Sequence, residues 1–575
     1  MRRALLCAGF VFVFAASLLA DPNLRIADVG LHGYYGSTAA VRLVVRNPSP
    51  QPQSIHLRIA ANDQGGTTNT VAADVSLSGG EQRIVELPIL MPDGNTVITA
   101  DAVAASAVFG HDTYKGARLG TNLIVLMCAS ESDCKTAQSQ MQFSGTIEER
   151  ADKNRHTAFE MVGDPRDHWW AYSASGAIVL AMPTAKFTPA QRDALEGFLR
   201  RGGRLVLLEQ EIADPSFLSA YRKAPAPPSG ERVGIGRLFR VSGLSANTLG
   251  DVFAGRNLPS FLNGRNWDPY QTGSMVHRFA TSFDFPRLRW VLIWLAVYII
   301  VIGVVNFAVL RRLRRLELGW ISVCVLALLF AAGFYFSNAS RRPKGFRVDN
   351  LATYYLDARS PVAAADYELR VSAPERRDVL ISVDDPAVFT DSNFTGEESN
   401  SQIWAEMNQQ GVQMRREYNI RLGPPRQIDL AMLKWSFHDL NLQGLHEFPG
   451  TVHFVAPNRL RNDTGQQFGE AVYLDYTTNS LYVLPKVAPG EEIQLDAITP
   501  RRIFTKDQNS VAWGGPGTDD SKQMLRELAL NGNLPLGREG QAFVGFSEGP
   551  ALPVDLNVPH QRNVHSLIVV VLEQP

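Results

Sequence analysis

The side chains most capable of chemistry in the N-terminal half are two cysteines and the histidines that follow them. Cys128 ends a continuous apolar run and so stands at the carboxyl end of a predicted buried strand, the edge where α/β proteins place their sites. A cysteine paired with a histidine can act as a nucleophile, and His156, His168 and Glu149 fall in the same region. In an oxidising compartment, Cys128 and Cys134 could instead close a small disulfide loop. Three alternatives therefore stay open: a nucleophile, a disulfide and two independent thiols.

Metal, phosphate and nucleic-acid chemistry have no matching pattern. The cysteine spacing fits no zinc site, and the acidic residues between positions 475 and 496 lack the alternating oxygen ligands of a calcium loop. Gly234 and Gly236 indicate a turn before a strand and not a phosphate-binding loop. The formal net charge of -1 gives no basic excess for a nucleic acid. We expect no cofactor, no metal and no nucleic-acid partner.

A βαβ unit is the clearest element near these residues. Two apolar strand-like runs, residues 177–181 and 205–208, flank a helix. Thr188 is its expected N-cap, in a capping box with a glutamine three residues later, and Pro189 fits the first helical position. A pair of glycines ends the helix. The pattern predicts a small α/β domain over residues 119–245.

This unit resembles the class I glutamine amidotransferase-like domains, which are common in bacterial membrane-anchored proteins of uncharacterised function. The resemblance lies in residues 177–209, with their proline, helix cap and glycine pair, and residues 298–320 look like the membrane hairpin of the same group. Active members carry a cysteine on a tight strand-to-helix elbow, and a histidine and glutamate near the end of the domain. Residues 182–187 contain neither cysteine nor serine, and no His-x-Glu pair occurs between positions 200 and 250. The resemblance thus implies the fold without its chemistry.

The rest of the chain outside the membrane indicates β structure. Residues 21–115 form short alternating strands separated by Gly, Pro and Asn turns, which predicts an immunoglobulin-like β-sandwich. Residues 345–575 show the same pattern and predict a C-terminal β-sandwich region with a helical insertion near 520–530. The expected fold class is a multidomain, mainly β protein with one α/β domain.

A transmembrane hairpin divides the chain. Apolar helices are predicted at residues 288–310 and 318–337, joined by an arginine-rich turn at 311–317 and preceded by a linker at 246–287. Residues 1–20, two arginines followed by an apolar run, are typical of a signal peptide or signal anchor. Because such a segment directs the export of the chain after it, we expect a two-pass protein of the bacterial inner membrane. Both large regions would lie on the periplasmic side and the turn in the cytoplasm.

Two functions are compatible with this organisation. The first is a non-enzymatic envelope protein that serves as a scaffold or binding module, with the bilayer and a membrane or envelope protein, or an envelope polymer, as partners. The alternative is a degenerate or unrecognised hydrolase that uses the α/β domain, with Cys128, His156 and His168 as its candidate catalytic residues.

Overall fold

The fold is known from a computed structural model, which is mainly β with few helices, as predicted. It describes residues 23–30, 38–62, 68–90, 97–104, 107–115, 122–141, 157–162, 165–173, 175–209, 217–221, 230–245, 288–339, 345–384, 388–391, 417–432, 437–503 and 540–572. The predicted N-terminal signal, the linker at 246–287 and the helical insertion near 520–530 lie outside these residues.

The described part of the N-terminal β region contains seven strands. They are β1 (Leu24–Gly30), β2 (Thr38–Arg46), β3 (Gln53–Asn62), β4 (Thr68–Leu77), β5 (Gln82–Leu90), β6 (Val97–Ala104) and β7 (Ala107–Lys115). Strands β1, β2 and β5 make one antiparallel sheet, and β4, β3, β6 and β7 lie side by side in another. In β3 every second residue is buried, so Ile55, Leu57 and Ile59 fill the core between the two sheets.

The α/β region comes after these strands. It contains β8 (Asn122–Cys128), α1 (Glu131–Met141), β9 (Thr157–Val162), β10 (Ser175–Ala181), α2 (Pro189–Arg200), β11 (Arg204–Leu208), β12 (Glu231–Val233) and β13 (Gly236–Val241). The sheet order is β12-β13-β11-β10-β8-β9, and only β12 pairs antiparallel. At the start of α2 the Thr188 hydroxyl accepts from the backbone N–H of Gln191, and the Gln191 side chain accepts from that of Thr188. The capping box and the βαβ unit are therefore present as predicted.

Helices α1 and α2 cover opposite faces of this sheet. The α1 face buries the side chains of Leu126, Cys128 and Cys134. On the other face, α2 packs Leu195 and Phe198 against strand residues of the same sheet. The two faces alternate along each strand, as expected for parallel strands buried on both sides.

Two long apolar helical stretches come next. The first consists of α3 (Leu288–Ile300), a π-helical turn (Val301–Val305) and α4 (Asn306–Arg312), and the second is α5 (Gly319–Ala339), after a 3-10 turn (Leu316–Leu318). Each contains 21 residues long and apolar enough to cross a membrane. The first stretch continues to Arg312, two residues into the predicted turn at 311–317, and the second ends at Ala339, two residues beyond its predicted end. They contact each other through Trp294, whose ring lies 5.6 Å from that of Phe330.

The described part of the C-terminal region contains sixteen strands. They are β14 (Phe346–Asp357), β15 (Ser360–Ser372), β16 (Arg377–Val383), β17 (Val388–Asp391), β18 (Glu417–Leu422), β19 (Arg426–Met432), β20 (Phe437–Glu447), β21 (Val452–Ala456), β22 (Arg459–Asn462), β23 (Glu470–Asp475), β24 (Ser480–Leu484), β25 (Glu492–Gln494), β26 (Arg501–Arg502), β27 (Gln541–Ser547), β28 (Val554–Leu556) and β29 (His560–Leu572). Nine of them form one sheet, ordered β17-β20-β15-β14-β29-β27-β23-β24-β26, and β21, β22 and β25 form a small one. The long parallel pair β14 and β29 lies at the centre of the large sheet.

One sheet contains strands that precede the two apolar helices in the sequence and strands that follow them. Its order is β28-β16-β19-β18-β4-β3-β6-β7, and β18 pairs in parallel with β4 from Glu417 opposite Thr68 to Leu422 opposite Ala73. The sequence predicts separate β-sandwiches at residues 21–115 and 345–575, and the structure corrects this. The two regions are continuous through backbone hydrogen bonds, because the amphipathic pattern of a strand does not specify which neighbour it pairs with.

Ile420 on β18 packs where the two β regions meet. Its side chain touches the core that Ile55 and Leu57 help to form, and also the core of the C-terminal strands around Ile381 and Ile428. The hydrophobic cores of the two regions are thus in contact as well as their backbones.

Candidate functional site: an arginine-bridged junction

The predicted cysteine site is occupied by a disulfide. Cys128 at the end of β8 is bonded to Cys134 in α1, and both are almost completely buried. The bond fastens the first turn of α1 to the strand that precedes it. A sulfur held in a disulfide is not a thiolate, so in this state Cys128 lacks the form that a nucleophilic cysteine needs.

His168 does not approach Cys128. Its ring stacks on that of Trp170, with centroids 5.0 Å apart, at the start of a 3-10 turn (Trp169–Tyr172). This turn packs on the α2 side of the sheet, whereas the Cys128 side chain lies on the α1 side. The sheet therefore separates the two candidates. His156 and Glu149 lie outside the described residues.

The residues that the structure does bring together are arginines at the boundaries of the α/β region. The first is Arg166, which is buried against the N-terminal sheet of β1, β2 and β5. Its Nη2 lies 2.8 Å from Oδ1 of Asp28 on β1, and its Nη1 lies 3.3 Å from Oε1 of Glu86 on β5. Burial raises the pKa of Glu86, and the charges of Arg166 and Arg42 oppose that rise in part.

Apolar contacts reinforce this first boundary. Trp170 and Ala171 of the 3-10 turn pack on Ala40 of β2. The Ser173 hydroxyl donates to the backbone oxygen of Thr38 on the same strand, at 3.1 Å. The α/β region is thus fixed to the N-terminal β region by a buried ion pair, an apolar patch and a hydrogen bond.

Arg201, at the C-cap of α2, forms the second boundary, with the nine-stranded sheet. Its Nη1 donates to the backbone oxygens of Ala365 and Gly444, at 2.9 and 3.0 Å, and its Nη2 lies 2.6 Å from Oδ1 of Asp366. The guanidinium also lies over the Trp169 ring, 4.8 Å from the centroid. One side chain therefore ties α2 to β15 and β20.

Arg359, in the turn after β14, makes the reciprocal contact. Its Nη1 lies 2.8 Å from Oε1 of Glu231 on β12, and its guanidinium stacks over the Tyr221 ring at 4.6 Å. The neighbouring carboxylate of Asp357 accepts from the backbone N–H of Gly234 at 3.3 Å. The β12–β13 turn predicted at Gly234 thus packs against the C-terminal β region.

We call Arg166, Arg201 and Arg359, with their acidic partners, the arginine junction. Each guanidinium is held by several fixed acceptors, which is the geometry that suits arginine better than lysine. Such an arrangement positions the α/β region against the β regions on either side of it. The sequence does not identify these residues, because a buried arginine at a helix end or in a turn has the same sequence context as a solvent-exposed one.

Within the described part of the chain, no group of three or more His, Cys, Asp and Glu side chains is arranged to hold a metal ion.

Comparisons with known proteins give no family. No protein-family model matches the chain, and no curated protein does so. Among solved structures, a calcium-binding mutant of Bacteroides uniformis β-glucuronidase 2 is 12% identical over 32% of this chain and 33% of that chain, with a TM-score of 0.14. A Paenibacillus cycloisomaltooligosaccharide glucanotransferase is 13% identical over 33% of this chain and 28% of that chain, with a TM-score of 0.16. Pseudomonas fluorescens alkylpurine DNA glycosylase AlkC is 13% identical over 17% of this chain and 30% of that chain, with a TM-score of 0.14. The chain spans about a third of the length of each, and likeness at this level carries no argument about function.

Proposed function

We propose that this protein is a non-enzymatic scaffold of the bacterial cell envelope, anchored in the inner membrane by its helical hairpin. Its β and α/β regions form one extracytoplasmic body that binds a protein partner or an envelope polymer. The amidotransferase-like α/β region serves in this body as a structural part.

The shared eight-stranded sheet is the observation that carries the proposal. Strand β4 precedes the hairpin and β18 comes after it, yet they are hydrogen-bonded neighbours. The two halves of the chain must therefore lie on the same side of any bilayer that the helices enter. This supports two crossings of the membrane, and the disulfide supports an oxidising compartment for the body.

The arginine junction supports a rigid scaffold. Because it connects the α/β region to both β regions through buried or half-buried ion pairs, the three regions present a fixed surface to a partner. A rigid surface avoids the entropic cost of ordering mobile domains when a partner binds.

Crosslinking in intact cells, followed by a pull-down from detergent-solubilised membranes, tests the proposal. We expect a reproducible membrane or envelope partner for the full-length protein and for Cys128→Ser. The absence of any reproducible partner would contradict the scaffold. Loss of an envelope phenotype in Cys128→Ser under reducing conditions, where the disulfide is already open, would favour the hydrolase.

Topology is tested separately with a reporter enzyme that is active only in an oxidising compartment. We expect activity when it is fused after Pro575 and none when it is inserted at Leu313 in the turn. The reverse pattern would refute the orientation.

A further inference from the structure

The start of the nine-stranded sheet is tethered close to the membrane helices. Helix α5 ends at Ala339, and β14 begins at Phe346. Six residues connect them, and an extended chain of that length reaches at most ~24 Å between the two ends. The opposite end of β14, at Asp357, lies about 36 Å farther along the strand. One end of the sheet is therefore held near the bilayer surface.

The strand register identifies the other segments at this end. In β29, His560 lies opposite Phe346, and in β15, Ser372 lies opposite Arg347. The turn after Ser372 leads into β16 at Arg377. We call these segments, residues 345–347, 372–378 and 557–562, the membrane-proximal edge.

Arginine predominates on this edge. Arg376, Arg377 and Arg562 are exposed, and Arg347 is half-buried beside them. The edge contains two exposed acids, Glu375 and Asp378. The Glu375 carboxylate lies 3.8 Å from Arg377 in a solvent-exposed pair, which binds weakly and leaves the guanidinium accessible.

Arg370, deeper in the sheet, adds no net positive charge to this edge. Arg370 is fully buried and forms two hydrogen bonds to the Asp439 carboxylate, at 2.7 and 2.8 Å. These two charges neutralise each other. The net positive charge of the edge therefore comes from its exposed and half-buried arginines.

We propose that the membrane-proximal edge docks on anionic phospholipid headgroups, which fixes the orientation of the sheet relative to the bilayer. The inference rests on the proposed membrane anchoring and goes beyond it, since a hairpin alone leaves the attached body free to tilt. Arginine near an anionic membrane surface is worth about fivefold in binding per side chain. The residues that connect α5 to β14 include Arg341, Arg342 and Lys344, so positive charge continues along the sequence from the helix to the edge.

The eight-stranded sheet offers a closely matched control. Arg377 on β16 is 52% exposed and lies beside Glu375, and Arg421 on β18 is 61% exposed and lies beside Asp429. Arg377 is opposite Met432, and Arg421 is opposite Gln427. Their partner positions on β19 are five residues apart. Arg421 therefore lies about 17 Å farther along the sheet from the membrane-proximal edge than Arg377 does.

The test uses the full-length protein in nanodiscs of phosphatidylcholine, with or without phosphatidylglycerol. Amide hydrogen exchange is followed at the backbone N–H groups of Ala373, Glu375, Arg376, Asn557 and Val558. Phosphatidylglycerol should slow this exchange about tenfold or more, and high salt should reverse the effect. Arg377→Glu should abolish the dependence on phosphatidylglycerol, and Arg421→Glu should retain it.

Each other outcome overturns the inference. Equal exchange in both lipids, or equal behaviour of the two variants, refutes headgroup docking while the anchor stands. If inorganic phosphate in phosphatidylcholine discs gives the same protection, the edge binds a soluble anion and not the membrane. Failure of the wild-type chain to enter nanodiscs refutes the anchoring itself, and docking with it.

Discussion

Removing the Arg201 guanidinium should detach α2 from the nine-stranded sheet. Arg201 is only 7% exposed, and its Asp366 partner is 24% exposed. Arg201→Ala deletes two hydrogen bonds to backbone oxygens and one to a carboxylate, and leaves those acceptors without their donor. Breaking a buried ion pair in this way costs about 3–5 kcal/mol. Because Asp366 keeps some contact with water, we take the lower value, about 3 kcal/mol.

A loss of this size raises the population of the detached state about a hundredfold. It is measured by amide hydrogen exchange in the 3-10 turn Trp169–Tyr172, whose first ring lies under the guanidinium. We expect faster exchange there by up to the same factor. The exchange rate of Arg201→Lys should lie between those of the wild type and Arg201→Ala. An ammonium group retains the charge but cannot donate to all three acceptors at once as the guanidinium does.

Arg83→Ala is the control for this prediction. Arg83 is 49% exposed and its ion pair is with Glu81, two residues away, so its removal should cost less than ~1 kcal/mol. If Arg201→Ala and Arg83→Ala give the same exchange rates in the turn, the view that the junction holds the α/β region in place is wrong.

Three further predictions concern stability. Replacing both Cys128 and Cys134 by alanine opens a loop with a sequence separation of 6 and should cost about 2 kcal/mol, seen as a lower thermal midpoint; an unchanged midpoint would contradict it. Gly236→Ala would put a Cβ 2.0 Å from a backbone oxygen of α2 and should cost about 3 kcal/mol or more, whereas Gly243→Ala, with nothing within 4 Å, should leave protease resistance unchanged. Burial raises the pKa of Asp349 above its usual value of 3.8, so its ionisation opposes folding, and the stability present at low pH is lost as pH rises through the folded pKa. Asp349→Asn should therefore be more stable than the wild type at neutral pH and converge with it in acid, and parallel midpoint-versus-pH curves would refute this.

Local signals in the sequence were sufficient for some elements. The Thr188 cap, Pro189 and the glycine pair define α2 through contacts within a few residues, and the hairpin helices are predictable from uninterrupted hydrophobicity. The mainly β class with an α/β part, and two helices able to cross a membrane, are confirmed at that level. The orientation and the partner stay predictions.

The long-range contacts could not be predicted from the sequence. The pairing of Ile420 with Val71 joins residues on either side of the hairpin, and nothing in the alternation of β18 names β4 as its neighbour. Arg201 likewise finds its acceptors on strands more than a hundred residues away. Both contacts depend on how the folded sheets and helices pack against one another. The periodicity of a sequence specifies only which face of a helix or strand is apolar.

The parallel pairing of β4 with β18 has a consequence for biogenesis. Strand β4 is synthesised well before β18, so under the proposed topology it presents an unpaired edge until both helices have crossed the membrane and β18 has reached the same side. In that topology the eight-stranded sheet is completed only in a chain that crosses twice, and a chain that fails to do so leaves the edge of β4 open to chaperones and proteases. If the proposed topology holds, folding of the extracytoplasmic body depends on correct membrane insertion.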